Sequence, residues 1–387
     1  ARRMMNFNSV IGQTTTIQRL KSLVEENRVP HAILFSGPEG AGKMALAMDF
    51  ACYLLTEGKP KDETSMFGDN DTSRDEAMLR KWEHPDLHFS YPTIKSAAMS
   101  SEHQPISADY IKEWRELILQ GSYFTMEQWM KLMKATTQQA IITGAEADEL
   151  SRKLALKSSQ GGFKVAIIWR PERMNLTSAN KFLKLLEEPP SGTIFLLVSE
   201  APEALLETIR SRTQRIDVKR IDNAAIEQAL VEQRGIDEEM AHRIARLANG
   251  NWLKALETMD ADNENKSFLA QFQTLMRLVY LRNLKELKTW SDTVSGYGRE
   301  KQRRMLAYFM QQVRENFIYN FRQPDLIYMT LEEEQFAKNF ARFINEANVI
   351  EINELLERAY RDIHQNANAK IVFYDLALKM IVLILRK

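Results

Sequence analysis

The sequence has 387 residues, which at roughly 100–200 residues per domain corresponds to two or three domains. It carries 52 Lys and Arg residues and 52 Asp and Glu residues, so the zero net charge argues against a protein dedicated to nucleic-acid binding. The single cysteine, Cys52, excludes a disulfide within this chain and a zinc site built from cysteines.

The most apolar run of the sequence, at 371–385, predicts a core helix. It is shorter than the roughly 20 residues that a membrane span needs, and it contains Asp375 and Lys379. The first residues carry no pattern of a cleavable signal. The sequence therefore predicts a cytoplasmic protein with no membrane contact.

The first half of the chain alternates short apolar runs with helical patterns. The runs predict strands at 32–36, 86–92, 163–169, 193–199 and 214–218, and the patterns predict helices at 107–119, 145–157 and 176–188. Pro202 predicts the start of a further helix, over 202–212. Strands that alternate with helices indicate a mostly parallel sheet with helices on both faces.

Between the first strand and the next helix stands "SGPEGAGKM", at 36–44. Gly37, Gly40, Gly42 and Lys43 fit a phosphate-binding loop, but Met44 stands where the pattern requires the hydroxyl that binds Mg²⁺. A thioether cannot replace that oxygen, because Mg²⁺ takes hard oxygen ligands. Two readings stay open: weak, metal-independent binding of ATP or ADP, and a tight turn retained without a ligand.

Two polar stretches predict interruptions of regular structure. The first, at 56–75, has almost nothing to bury and predicts a mobile surface insertion. After about residue 220 the strand patterns stop and the chain is continuously helical. The second stretch, "DADNENK" at 260–266, predicts a break between a small helical module and a larger bundle.

Three further stretches carry a family resemblance: "IGQ" at 11–13, "HPDLHFSYP" at 84–92, and 178–212, which contains "LLEEPP" and "TIRSR". With the glycine-rich loop they resemble the clamp-loader branch of the AAA+ ATPases, in particular its members in bacterial DNA polymerase III. The resemblance covers about the first 260 residues. It implies an α/β AAA+ domain at 1–221, a helical lid at 222–262, and an all-helical oligomerisation (collar) domain at 263–387.

The resemblance also implies a subunit that does not hydrolyse ATP. In active relatives the strand before "SANKFLKLLEEPP" ends in two acids that serve Mg²⁺ and the attacking water, and here Trp169 and Arg170 stand there. The lid arginine of the family falls at Leu253. With Met44, these are four departures at positions on which hydrolysis depends. The alternative is an active clamp-loader ATPase of the gamma/tau or replication factor C type.

Arg212 is expected to contribute chemistry in trans. By resemblance, "SRT" at 211–213 presents an arginine finger to the ATP of a neighbouring subunit, although Thr213 departs from the motif. The plainer reading is that Arg212 offsets the dipole of a helix end, and Arg210 is a weaker candidate for the finger. In "LLEEPP", Glu187 and Glu188 end a helix, which hints at a nearby positive partner.

The implied partners are those of a clamp loader: the gamma/tau ATPase subunits, the delta subunit, the sliding clamp and primed DNA. No cofactor is required. Some relatives carry a four-cysteine zinc module after the loop helix, but this chain has no cysteines there. His84 and His88 are spaced four apart around Pro85 and a strand pattern, which is poor geometry for a shared ligand face. We therefore predict no zinc.

Overall fold

The computed structural model describes residues 7–58, 68–135, 137–158 and 162–386. The chain divides into two compact units, Ala1–Thr258 and Met259–Lys387. The first unit contains the sheet and the second is helical. The division into three domains at 221 and 262 stays a prediction.

The first unit is built on one five-stranded sheet, and all of its strand pairs are parallel. The strand order is β2-β3-β4-β1-β5. The predicted runs are confirmed as strands β1 Ala32–Ser36, β2 Leu87–Ser90, β3 Lys164–Trp169, β4 Thr193–Ser199 and β5 Gln214–Asp217. Every residue of β1, β3 and β4 is buried, which explains why these strands are continuously apolar instead of alternating.

Each face of the sheet packs in its own apolar cluster. Ile33 and Phe35 of β1 belong to the first cluster with most of helix α2, and Ala32 and Leu34 belong to the second with residues of α6 and α7. The predicted α/β architecture is confirmed. The helices of this unit are α1 Thr14–Glu25, α2 Lys43–Thr56, α3 Gly68–Arg80, α4 Ile111–Gln120, α5 Met126–Leu132, α6 Gly144–Ala155, α7 Leu176–Glu187, α8 Glu207–Arg210, α9 Asn223–Arg234 and α10 Glu238–Ala248.

Two expectations for the first unit need correction. The helix predicted from Pro202 is only a 3-10 turn, Pro202–Ala204, followed by the short α8, because Leu205 adopts an extended backbone and buries its side chain in the second cluster. Within the predicted insertion at 56–75, residues 68–75 form the start of α3, and Asp75 is buried. Of the rest, Thr56 is the last residue of α2, and residues 59–67 lie outside the described residues.

The second unit consists of helices packed around one apolar cluster. The break in helical structure predicted at 260–266 is wrong, because this run lies inside α11. Its residues are mostly exposed, so its polarity reflects contact with solvent. The apolar run at 371–385 forms α16, as predicted. The helices are α11 Trp252–Leu281, which begins in the first unit, α12 Leu284–Ser295, α13 Arg299–Tyr319, α14 Leu331–Phe340, α15 Val349–His364 and α16 Ala369–Ile384.

Across the described ranges, no helix combines the length and apolar character needed to cross a membrane.

A buried carboxyl group ties the N-terminal segment to α2. Asp49 lies in α2 and accepts hydrogen bonds from the backbone N–H and the hydroxyl of Ser9, at 3.2 and 2.7 Å. Burial raises the pKa of Asp49 to about 6, and the two bonds from Ser9 only partly oppose this effect. Ionising Asp49 is therefore harder in the folded chain than in the unfolded chain.

We expect Asp49→Asn to remove a pH dependence of stability. Because the pKa of Asp49 is raised by folding, its contribution is fully present below pH 4 and is lost as the pH rises through about 6, a change of about 3 kcal/mol. The amide keeps an acceptor for Ser9 and does not ionise. The free energy of unfolding of the variant, relative to the unmodified chain, should therefore rise between pH 4 and pH 7.

The measurement is urea unfolding followed by tryptophan fluorescence at both pH values. Asp222→Asn, which removes one exposed carboxylate at the start of α9, is the matched control. Parallel pH profiles for Asp49→Asn and the unmodified chain would contradict the assignment.

Candidate functional site at the glycine-rich loop

The glycine-rich loop lies between β1 and α2, at the carboxyl edge of the parallel strands where ligands of such sheets bind. Two of its glycines lie close against other parts of the chain. A Cβ at Gly37 would lie 2.1 Å from the carbonyl oxygen of Val218, and one at Gly40 would lie 1.8 Å from Oδ1 of Asn251. Gly42 precedes α2 and lies against the hydroxyl of Tyr123. The loop is thus enclosed by the chain's own groups on several sides.

The side chain of Lys43 is buried, with only 3% of its surface exposed. Its Nζ donates to the carbonyl oxygens of Gly37 and Pro38, both at 2.8 Å, and to Oε2 of Glu200 at 3.0 Å. An ammonium group has three N–H donors, so these three acceptors use its capacity fully. Burial lowers the pKa of Lys43, and Glu200 opposes that shift by favouring the charged form.

Glu200, the first residue after β4, is itself held by Glu172. The carboxylate of Glu172 accepts from the hydroxyl of Ser199 at 2.8 Å and from the backbone N–H of Glu200 at 3.0 Å. Glu172 lies in the 3-10 turn Pro171–Arg173 that follows β3. The ends of two neighbouring strands therefore cooperate to place one carboxylate on Lys43.

The four departures from the ATPase pattern lie in different surroundings. Met44 is buried in the first apolar cluster. Trp169, the last residue of β3, is buried in the same cluster, and its ring lies 5.5 Å from that of Trp114. The guanidinium of Arg170 lies 5.5 Å from the centre of the Trp169 ring. Leu253 is half-buried in the first turn of α11.

Trp169 and Arg170 offer no carboxylate, and the carboxylates at these strand ends, Glu172 and Glu200, are held by Ser199, the backbone N–H of Glu200 and Lys43. An indole cannot accept a hydrogen bond from water, and a guanidinium stays charged and repels a metal ion. Within the described ranges, no group of three or more His, Cys, Asp or Glu side chains is arranged to hold a metal ion. The predicted lack of zinc stays a prediction.

The two histidines that the sequence singles out have separate environments. His84 is buried; its Nδ1 accepts from the backbone N–H of Asp86, and its Nε2 contacts Asp75 at 3.2 Å. A ring whose Nδ1 accepts carries its proton on Nε2, which then donates to Asp75. His88 lies in β2, where burial lowers its pKa to about 4.

Two contacts to the loop come from residues distant in sequence and could not be foreseen from the loop motif. Gln13, the last residue of "IGQ", donates from Nε2 to the carbonyl oxygens of Ala41 at 3.0 Å and Lys219 at 2.6 Å. The backbone N–H of Trp252 donates to the carbonyl oxygen of Gly40 at 3.0 Å. Gln13 had a signal in the sequence, since "IGQ" is part of the resemblance.

Arg212 lies next to the end of α7. Its guanidinium forms an ion pair with Glu187 at 2.7 Å and donates to the carbonyl oxygen of Thr208 at 2.9 Å. About a third of the side chain is exposed. Glu187 is one of the two acids of "LLEEPP" for which a positive partner was expected, and Arg212 is that partner.

We expect Gly40→Ala to destabilise the first unit more than Gly235→Ala. Both glycines have a left-handed backbone, φ 70° and 65°, and an alanine there costs about 1 kcal/mol. At Gly235 an added Cβ meets nothing within 4 Å, whereas at Gly40 it collides with Asn251. Gly40→Ala should therefore lower the free energy of unfolding by at least about 2 kcal/mol.

The contact is checked by urea unfolding and a double-mutant cycle with Asn251→Ala. In the Asn251→Ala variant, the loss of unfolding free energy caused by Gly40→Ala should fall toward the loss caused by Gly235→Ala. An equal cost in both backgrounds would show that Asn251 does not press on the loop.

The sequence of this chain matches a known protein family. A family model described as "DNA polymerase III, delta subunit" matches residues 12–222. DNA polymerase III subunit delta' of Bacillus subtilis is 26% identical over 208 residues, which is 53% of this chain and 46% of that protein. Subunit delta' of Pseudomonas aeruginosa is 28% identical over 182 residues, 47% of this chain and 41% of that protein.

Other similarities extend to neighbouring subunit types. DNA polymerase III subunit tau of Bacillus subtilis is 27% identical over 217 residues, 56% of this chain and 30% of that protein. The structure also aligns with a crystal structure of a DNA polymerase III gamma subunit-related protein from Thermotoga maritima. The alignment spans 95% of this chain and 99% of that one, with 14% identity and a TM-score of 0.36. The chain spans less than half the length of these three curated relatives.

The family model covers more than half of the chain, including the loop, "LLEEPP" and Arg212, so the predicted clamp-loader resemblance is confirmed. The chain therefore belongs to the DNA polymerase III delta-subunit family of clamp-loader proteins, with delta-prime subunits among its relatives.

Proposed function

We propose that this chain is a noncatalytic subunit of the DNA polymerase III clamp loader, which helps to load the sliding clamp onto primed DNA. The observation that carries the proposal is the end of β3, where Trp169 is buried among aromatic rings. Hydrolysis of ATP needs groups that hold Mg²⁺ and orient the attacking water. Trp169, Arg170 and Met44 can do neither.

The proposed partners follow from the family. Among the relatives are subunits named delta' and tau, so we propose that this chain assembles with gamma/tau ATPase subunits and a delta subunit, and reaches the clamp and primed DNA through that complex. Its proposed location is the cytoplasmic replisome. No cofactor is required in this role, since Lys43 is already saturated by acceptors from the chain itself.

Arg212 is the proposed catalytic residue, acting on ATP bound by a neighbouring subunit. A guanidinium has five N–H donors, and the contacts with Glu187 and Thr208 engage two of them. The remaining donors and the partial exposure leave the group able to meet a phosphate. Glu187 fixes the direction of the side chain, which reduces the entropy lost when Arg212 reaches its target.

The rival function is an active ATPase of the gamma/tau type. The similarity to subunit tau and the intact run from Gly37 to Lys43 favour it. The two proposals differ in one measurable property, turnover of ATP by the chain alone.

We expect the purified chain to show no Mg²⁺-dependent ATP hydrolysis, and Met44→Thr to create none. The new hydroxyl could offer one ligand to Mg²⁺, but neither Trp169 nor Arg170 can supply a carboxylate, and the carboxylates of Glu172 and Glu200 are engaged by other groups of the chain. Phosphate release is measured for the unmodified chain, Met44→Thr and Lys43→Ala. Turnover that Lys43→Ala abolishes would establish the rival.

We expect Arg212→Ala to leave the chain folded and assembled but to lower ATP hydrolysis by the reconstituted clamp loader. The ion pair with Glu187 is exposed, so its loss should cost less than about 1 kcal/mol of stability. A finger supplied in trans contributes about 10³–10⁵ in rate at one site, although intact sites elsewhere in the complex would mask much of the loss. Arg212→Lys should rescue little, because an ammonium lacks the planar fork.

For complexes with each variant and with the unmodified chain, assembly is measured by size-exclusion chromatography, and the rates of ATP hydrolysis and clamp loading are measured in parallel. Arg234→Ala, which removes an exposed arginine from the last turn of α9, is the matched control. Normal hydrolysis and loading by an intact Arg212→Ala complex would leave Arg212 as a charge that offsets a helix end.

A further inference from the structure

A carboxylate of the same chain, that of Glu200, pairs with the lysine of the glycine-rich loop. Lys43 donates to three acceptors, and two of them are carbonyl oxygens within the loop. Glu200 is the third, and it is the only partner that is charged and that comes from outside the loop. A phosphate oxygen could reach this ammonium only by displacing one of the three.

We propose that Glu200 is an internal substitute for phosphate, which occupies Lys43 and so closes the loop to polyphosphate ligands. This inference rests on the proposed noncatalytic function, because a subunit that turned over ATP would have to release Glu200 in every cycle. It assigns to Glu200 an autoinhibitory role that the loop motif alone does not indicate.

Charge and geometry make Glu200 an effective competitor. Its carboxylate makes a charge-assisted hydrogen bond to a buried ammonium, and such bonds are about twice as strong as neutral ones. A polyphosphate bound at Lys43 would also lie beside this negative charge. The two carbonyl oxygens, by contrast, carry only partial negative charge and repel an anion less than a carboxylate does.

Glu172 keeps the substitute in position. It binds both the side chain of Ser199 and the backbone N–H of Glu200, so the carboxylate of Glu200 is presented by a fixed backbone. Glu172 is therefore a positioning residue. Its neutralisation should loosen Glu200 without removing it.

Removal of the competing charge would leave a cradle for a polyphosphate that needs no metal. The backbone at the start of the 14-residue helix α2 favours anions, and Lys43 would regain a free donor. Arg170 supplies a second positive charge near Lys43. Its Nε is buried and, in the described part of the chain, has no hydrogen-bond partner. Two cations and a helix start fit tripolyphosphate or the phosphate chain of a nucleotide.

The test uses the full chain and metal-free tripolyphosphate with EDTA, measured by isothermal titration calorimetry. Glu200→Gln should bind at least tenfold more tightly than the unmodified chain, and Glu200→Gln with Lys43→Met should lose that gain. Glu203→Gln, which neutralises an exposed carboxylate three residues further on, should bind no better than the unmodified chain. Glu172→Gln should gain binding to a smaller extent.

Folding of each variant is verified by circular dichroism and thermal unfolding. A folded Glu200→Gln whose affinity for tripolyphosphate does not exceed that of the unmodified chain would overturn the inference. If Glu200→Gln does not fold, Glu172→Gln decides the question by the same criteria. ATP turnover with Mg²⁺ is measured on the same samples. Turnover would overturn the noncatalytic role, whereas lack of binding by the glutamine variants would overturn only the role of Glu200.

Discussion

The buried ammonium group of Lys43 is the constraint around which the site is arranged. An ammonium removed from water must find acceptors for its donors, and the loop can provide only part of them. The sheet provides the rest. Because β1 and β4 pair in parallel, Ser36 at the entrance of the loop lies opposite Ser199, and this register places Glu200 beside Lys43. The site therefore depends on strand pairing as much as on the loop.

Most of the fold could be predicted because the strands are buried on both faces. Such strands are continuously apolar, and that signal is strong in β1, β3 and β4. The errors have one physical origin, which is that polarity reports exposure and not backbone conformation. The run 260–266 is polar because it is exposed, yet its backbone is helical. Leu205 shows the converse, since burial holds an extended residue inside a predicted helix.

The candidate site could be predicted only where its parts are close in sequence. The glycines and Lys43 form a local motif, and so do Glu187 and Glu188. Glu200 is 157 residues from Lys43, and no local pattern links them. A weaker signal did exist, since ligand-facing groups of parallel sheets follow the strand ends, and Glu200 directly follows β4. The Glu187 partner was foreseen as a charge, but its identity as Arg212 required the structure.

The packing of Trp169 bears on which residues the end of β3 can hold. Its ring contacts Trp114 and Phe124 inside the first apolar cluster, so a carboxylate at this position would be enclosed by aromatic rings, with the guanidinium of Arg170 beside it. A carboxylate side chain is smaller than an indole, so its substitution for Trp169 would also leave a cavity between two aromatic neighbours. Both effects lower the free energy of unfolding. The packing that stabilises this end of β3 thus makes a carboxylate there costly for the fold.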